Sequence, residues 1–102
     1  MRELTPQEVA AGLAAGELVL VDVREPNETA VERIAGSMLM PLSRFDPADL
    51  PAASGRALVF SCASGIRSLR AADVTQALGH SDVGHLAGGL KAWKAAGYPT
   101  EK

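Results

Sequence analysis

The chain holds one cysteine, Cys62, among 102 residues. A single cysteine excludes an internal disulfide framework and any zinc site built on several thiolates. Charge of one sign is not in excess either. Ten basic residues face twelve acidic ones, for a net charge of −2. That balance argues against broad binding to nucleic acid or to an acidic membrane surface. No uninterrupted apolar run approaches the ~20 residues that span a bilayer. The opening Met1-Arg2-Glu3-Leu4-Thr5-Pro6 shows no basic stretch followed by an apolar core, so no secretory leader is read there and a cytoplasmic location is the expectation. Internal repeats, low-complexity tracts and linkers are also missing.

What remains is ordinary globular composition, 47% apolar and 22% charged. One domain covering residues 1–102 is expected. A chain of this size buries roughly 60–70% of the surface its unfolded form exposes, enough for a core without metal or disulfide.

Thr5-Pro6-Gln7-Glu8 reads as a helix start, with Thr5 as cap, Pro6 in the first helical position and Glu8 completing a capping box. Gly16 ends that helix. The run from Leu18 to Val23 predicts a buried parallel strand. A short helix is expected from Asn27 to Arg33, capped by Asn27, and a short strand from Ser37 to Pro41, with Met38 and Met40 packing in the core. Arg44 to Leu50 reads as another short helix. Ala57 to Ser61 predicts a second buried strand, and Arg67 to Leu78 the longest helix, with Leu69, Ala72 or Val74, and Leu78 facing inward. Val83 to Leu86 predicts a third strand and Gly89 to Ala96 a last helix, with Trp93 in the core. This alternation implies an α/β domain, a mainly parallel sheet with helices on both faces. Ligands in such folds lie beyond the carboxyl ends of the strands, where Cys62 falls.

The segment Cys62-Ala63-Ser64-Gly65-Ile66-Arg67-Ser68 lies between a buried strand and a helix. A loop wrapping into a helix start aims several N–H groups at one spot, and the helix end adds positive partial charge. Ala63 and Ser64 are small, and Gly65 permits a positive φ. Such a nest suits an anion and lowers the pKa of a thiol at its rim. Judged by position and residue type alone, a small buried core residue is the commoner use of a free cysteine. His80 and His85 show no acid partner, and neither receives a role.

Four motifs bear on that choice. Val21-Asp22-Val23-Arg24-Glu25-Pro26, Ile34-Ala35-Gly36-Ser37 with Met40-Pro41-Leu42, the Cys62–Ser68 loop, and Leu86-Ala87-Gly88-Gly89-Leu90 with Trp93 stand in an order and spacing that resembles the single-domain rhodaneses. The resemblance runs from about Thr5 to Pro99. It implies the rhodanese-like three-layer α/β fold and a thiosulfate sulfurtransferase cycle without metal or organic cofactor. In that cycle Cys62 is the catalytic nucleophile, and the N–H groups from Ala63, Ser64, Gly65, Ile66, Arg67 and Ser68 bind the substrate anion. The donor is thiosulfate or a similar small molecule, and the acceptor is cyanide, a thiol or another protein. Asp22 and Arg24 are read as bracing the loop from the neighbouring strand end. Arg67 either faces the incoming anion or forms an ion pair with Glu25 or Glu28 that holds the loop. The chain departs from the family in carrying Glu32-Arg33-Ile34 for Gly-His-Ile, Thr29 for an aromatic, and Ala63 where some members have a basic residue. A persulfide carrier or docking module with little turnover is the alternative from another class. A phosphatase reading suffers from Ser61 before the cysteine and only four residues between Cys62 and Arg67, and an arsenate reductase is a further alternative.

Overall fold

The computed structural model describes residues 1–102. Five parallel strands form one sheet: β1 (Arg2–Leu4), β2 (Leu18–Asp22), β3 (Met38–Leu39), β4 (Ala57–Ser61) and β5 (Val83–Leu86), in the spatial order β1-β5-β4-β2-β3. The helices are α1 (Pro6–Ala15), α2 (Pro26–Thr29), α3 (Ile66–Ala77) and α4 (Gly89–Ala95). None is long and apolar enough to cross a membrane.

Strand alternation sorts the core into two halves. Leu18 and Leu20 of β2, Ala57 and Val59 of β4, and Leu86 of β5 pack with Val9 of α1 and Trp93 of α4. Val21, Leu58, Phe60 and Val83 point the other way, against Ala71 and Ala72 of α3. Helices therefore cover both faces of the sheet, as the pattern of elements implied. The parity carries one residue past β4: Cys62 follows Leu58 and Phe60 to the α3 side.

The α1 signals act as expected. Thr5 Oγ1 accepts from Glu8 N–H at 3.1 Å, Glu8 accepts from Thr5 N–H at 3.0 Å, and Gly16 closes the helix. Trp93 is buried, and its indole N–H donates to the Pro99 carbonyl at 2.8 Å.

Other expectations are corrected. α3 turns a different stripe inward: Ser68, Ala71, Ala72 and Thr75 are buried, while Leu69, Val74 and Leu78 are exposed. Small side chains let the helix lie close to the sheet, and that proximity outweighs burying larger residues one position away. α2 spans only Pro26–Thr29 and is capped at Glu25, because Pro26, not Asn27, takes the first helical position. Arg33 instead pairs with Glu101 in an isolated antiparallel bridge. The expected helix from Arg44 to Leu50 is two 3-10 turns, Leu42–Arg44 and Pro47–Asp49, since Pro47 has no N–H to continue a longer one. Met38 is exposed on the edge strand β3, and Met40 is partly buried against the α3-side core. β1 was not foreseen, having Leu4 as its only buried position.

Candidate active site

The carboxyl ends of β2 and β4 lie side by side, with Asp22 in register with Ser61. Cys62 is the first residue beyond β4, 2% exposed. From there the chain turns sharply into α3. Gly65 makes the turn at φ 101°, a left-handed conformation that side chains other than glycine adopt at a cost.

The turn brings the start of α3 onto the sulfur. Cys62 Sγ accepts from Gly65 N–H at 3.1 Å and from Ser68 N–H at 3.4 Å. The sulfur thus takes the place of a capping oxygen for a helix that has no other side-chain cap. Ser68 Oγ lies 3.5 Å from the sulfur as well. Burial pushes the Cys62 thiol up. The Ser68 hydroxyl and the N–H groups of Ser68, Gly65 and Ser64 push it down further, and the net direction is below the ordinary thiol value. A buried thiol encircled by donors holds an anion more readily than a thiol in an apolar core.

The last helix closes the loop from outside. Leu90 N–H donates to the Cys62 carbonyl at 2.8 Å and Lys91 N–H to the Ala63 carbonyl at 3.0 Å. This contact requires glycine at 89, because a Cβ there would collide with both carbonyls. Gly88-Gly89 is therefore more than a tight turn into α4, since it lets one backbone rest on another. Ala63, Leu90, Lys91 and Lys94 line a shallow cavity of about 300 Å³ beside the loop.

The remaining site residues separate into two groups. Ala63, Ser64, Gly65 and Ile66 form the outer rim, with Ser64 and Ile66 exposed and Ile66 extending its side chain into solvent. Arg67 makes a two-pronged bond to Glu28, at 2.6 and 2.8 Å. That pair holds the Glu28 carboxyl down at about 2 and raises Arg67. Of the two ion-pair partners expected for Arg67, Glu28 is the one found, while Glu25 accepts from the Ser43 hydroxyl at 2.6 Å.

Asp22 and Arg24 form a buried pair. The guanidinium donates to both carboxylate oxygens, the shortest contact being 2.8 Å, and its other reach is to the Glu32 carbonyl at 2.8 Å. Neither side chain bonds to the 62–68 loop. The contact of Arg24 with the Glu32 carbonyl ties the pair to the segment after α2, the helix that carries Glu28.

One neighbour of the site was missed. His85 Nδ1 lies 3.0 Å from Ser68 Oγ, one hydroxyl removed from the sulfur. Strand parity held the signal: His85 shares its face of β5 with Val83, and that face looks at α3.

Comparisons with known proteins agree with this architecture. The chain is 46% identical over 85 residues to an uncharacterized protein of Synechocystis, a match covering 83% of this chain and 48% of that one. It therefore spans about half the length of that relative. It is 29% identical to the human thiosulfate:glutathione sulfurtransferase, covering 84% of this chain and 87% of that protein. Among solved structures it superposes on a rhodanese-related protein of Thermoplasma volcanium with a TM-score of 0.86 and 27% identity, covering 99% and 98% of the two chains. The family described as the rhodanese-like domain matches residues 5–96, nine-tenths of the sequence, and the chain belongs to it.

Proposed function

We propose that this chain is a sulfurtransferase that carries sulfane sulfur on Cys62 as a persulfide. The observation that carries the reading is the sulfur's own surroundings. Cys62 Sγ lies buried at a strand end and receives N–H groups from Gly65 and Ser68. Those donors stabilise a thiolate before transfer and a persulfide anion after it, as an oxyanion hole stabilises developing charge.

The cycle has two displacements. The Cys62 thiolate attacks the outer sulfur of thiosulfate, a new S–S bond forms, and the bond to the inner sulfur breaks to release sulfite. Cyanide or a thiolate then attacks the outer sulfur of the persulfide, and the Cys62 thiolate leaves. The product is thiocyanate or a new persulfide, and the chain returns to its starting state. The family's sulfurtransferase-named human member acts on thiosulfate and glutathione by its name, which supports a thiosulfate-like donor and a thiol acceptor here. Lys91 beside Ala63 supplies positive charge near the loop rim, while the Lys94 ammonium is paired with Glu32 at 2.8 Å. No second cysteine stands ready to resolve the persulfide, so the sulfur departs to an outside acceptor.

The Arg67–Glu28 pair weighs against a phosphatase reading. That chemistry needs a guanidinium free to grip a phosphoryl group, and both prongs of Arg67 are engaged. Thiocyanate formation from thiosulfate and cyanide tests the proposal. Turnover by the native chain and none by Cys62→Ser is expected. Equal turnover by both would refute it.

A further inference from the structure

His85 is buried at 3% exposure, and its Nε2 has no hydrogen-bond partner. A buried imidazole nitrogen left unpaired costs stability, and its presence calls for an explanation. Its other nitrogen, Nδ1, lies 3.0 Å from Ser68 Oγ, which in turn lies 3.5 Å from Cys62 Sγ. Nε2 faces Glu3 Oε2 at 3.5 Å, across the β1–β5 register where Glu3 is paired with His85. The four groups make a line from the exposed Glu3 carboxylate to the sulfur.

Ser68 is the decisive member of that line. Its hydroxyl has one hydrogen and two neighbours that accept it, the sulfur and Nδ1. With Nδ1 bare, the hydroxyl donates to the ring, and the sulfur loses that donor. With Nδ1 protonated, the ring donates to Ser68 Oγ, and the hydroxyl hydrogen is free for the sulfur. The state of one histidine nitrogen therefore decides whether Ser68 supports a thiolate.

We propose that Cys62, Ser68 and His85 form a proton relay, with His85 as a positioning residue that takes up the proton the thiol gives up. The S–H bond breaks as its proton passes to Ser68 Oγ, and the hydroxyl's own proton passes to Nδ1. The result is a thiolate and an imidazolium joined through one hydroxyl, with no oxidant or reductant involved. Nε2 keeps its hydrogen on the side of the Glu3 carboxylate, 3.5 Å away. The other groups around the ring do not compete. β4 presents uncharged Phe60 opposite His85, Arg67 of α3 is held by Glu28, and Asp82 at the start of β5 is held by Arg2 at 3.0 Å. This relay rests on Cys62 as the reactive thiol of the proposed cycle and supplies its activation step.

Nuclear magnetic resonance of the full chain with ¹⁵N-labelled histidine tests the relay directly, since ring nitrogens with and without hydrogen differ widely in shift. His80, exposed and remote in the fold, is the internal control among the two histidines. At a pH where Cys62 is a thiolate, the His85 Nδ1 resonance is expected at its protonated position. In Cys62→Ser, and after the thiol is capped with a methylthio group, it is expected to move to the bare position while His80 stays fixed. An unmoved His85 resonance in both would overturn the relay, and so would equal displacement of the two histidines. The surface variant Glu3→Gln gives a second reading that does not endanger folding. Alkylation of Cys62 at neutral pH is expected to slow about threefold. An unchanged rate counts against the relay. These measurements use no sulfur donor, so their failure leaves sulfur transfer standing. Coupled histidine signals in a chain that never acquires sulfur would defeat the transfer reading alone.

Discussion

The ends of β2 and β4 are neighbours in one sheet, yet they handle a buried anionic group in opposite ways. At the end of β2 the Asp22 carboxylate receives a whole guanidinium from Arg24 and is neutralised within a span of three residues. At the end of β4 no side-chain cation bonds directly to the Cys62 sulfur. Its donors are the N–H groups of Gly65 and Ser68 and the Ser68 hydroxyl. A side-chain counterion fixes a charge in place and leaves it nothing further to do. Backbone donors stabilise negative charge on the sulfur without fixing a counterion to it. The first end is a closed ion pair and the second is where the proposed sulfur transfer falls, although both occupy the same level of the fold.

Removing the cation from β2 is the strongest way to break the comparison. Arg24→Ala strands a buried carboxylate and is expected to cost about 3–5 kcal/mol in urea unfolding. The double variant Asp22→Asn with Arg24→Met restores most of that loss, because an uncharged pair has no desolvation debt. Sulfur transfer per folded molecule is expected to stay near the native value in the double variant. A complete loss of transfer in a folded double variant would show that the pair does more than hold structure.

At β4 the backbone is the vulnerable part. Gly89→Ala places a methyl group against the Cys62 and Ala63 carbonyls and lifts α4 off the loop. A destabilisation of about 2 kcal/mol by thermal or urea unfolding is expected, together with slower reaction at Cys62. Native-like stability and reactivity would mean that the contact between α4 and the loop is incidental.

The donors around the sulfur set a pH dependence. Burial alone raises the Cys62 thiol, and Ser68, Gly65 and Ser64 overcome it, so the thiolate is present below the ordinary thiol range. Ser68→Ala removes one of the lowering contacts and shifts the iodoacetamide rate profile toward higher pH. At neutral pH this reads as a rate lower by roughly threefold to tenfold.

The smallest effect belongs to Arg67. Glu28 sits at about 2 in the folded chain against a usual 4.5. A depressed carboxylate contributes stability that is fully present above 4.5 and disappears as pH falls through 4.5 toward 2. The pair is about one-third exposed, so solvent screening limits the contribution to about 1 kcal/mol. Arg67→Ala is expected to lose that amount at neutral pH and little near pH 2, with thiosulfate turnover largely retained. Abolished turnover would place the guanidinium on the substrate instead.

Much of this was legible in the residues. Short apolar strands alternating with helix signals announced the parallel sheet, and Thr5 and Gly16 bounded α1 through local capping that needs no tertiary context. The loop at Cys62 was readable because its glycine and helix start sit within a few residues of the sulfur. What escaped depends on packing across the sheet. The inward stripe of α3 follows Ser68, Ala71, Ala72 and Thr75 because the sheet demands close approach, and a rule that sends large apolar residues inward selects Leu69 and Leu78 instead. His85 looked partnerless because Ser68 and Glu3 reach it from α3 and β1, which lie far from it in sequence. β1 is three residues long with one buried position, too little pattern to register.

Intact-mass spectrometry of the chain after incubation with thiosulfate bears on the central claim most directly. The account predicts a gain of one sulfur atom on Cys62, its loss on adding cyanide, and no gain in Cys62→Ser. The native chain remaining free of sulfur, or Cys62→Ser acquiring as much as the native chain, would contradict it.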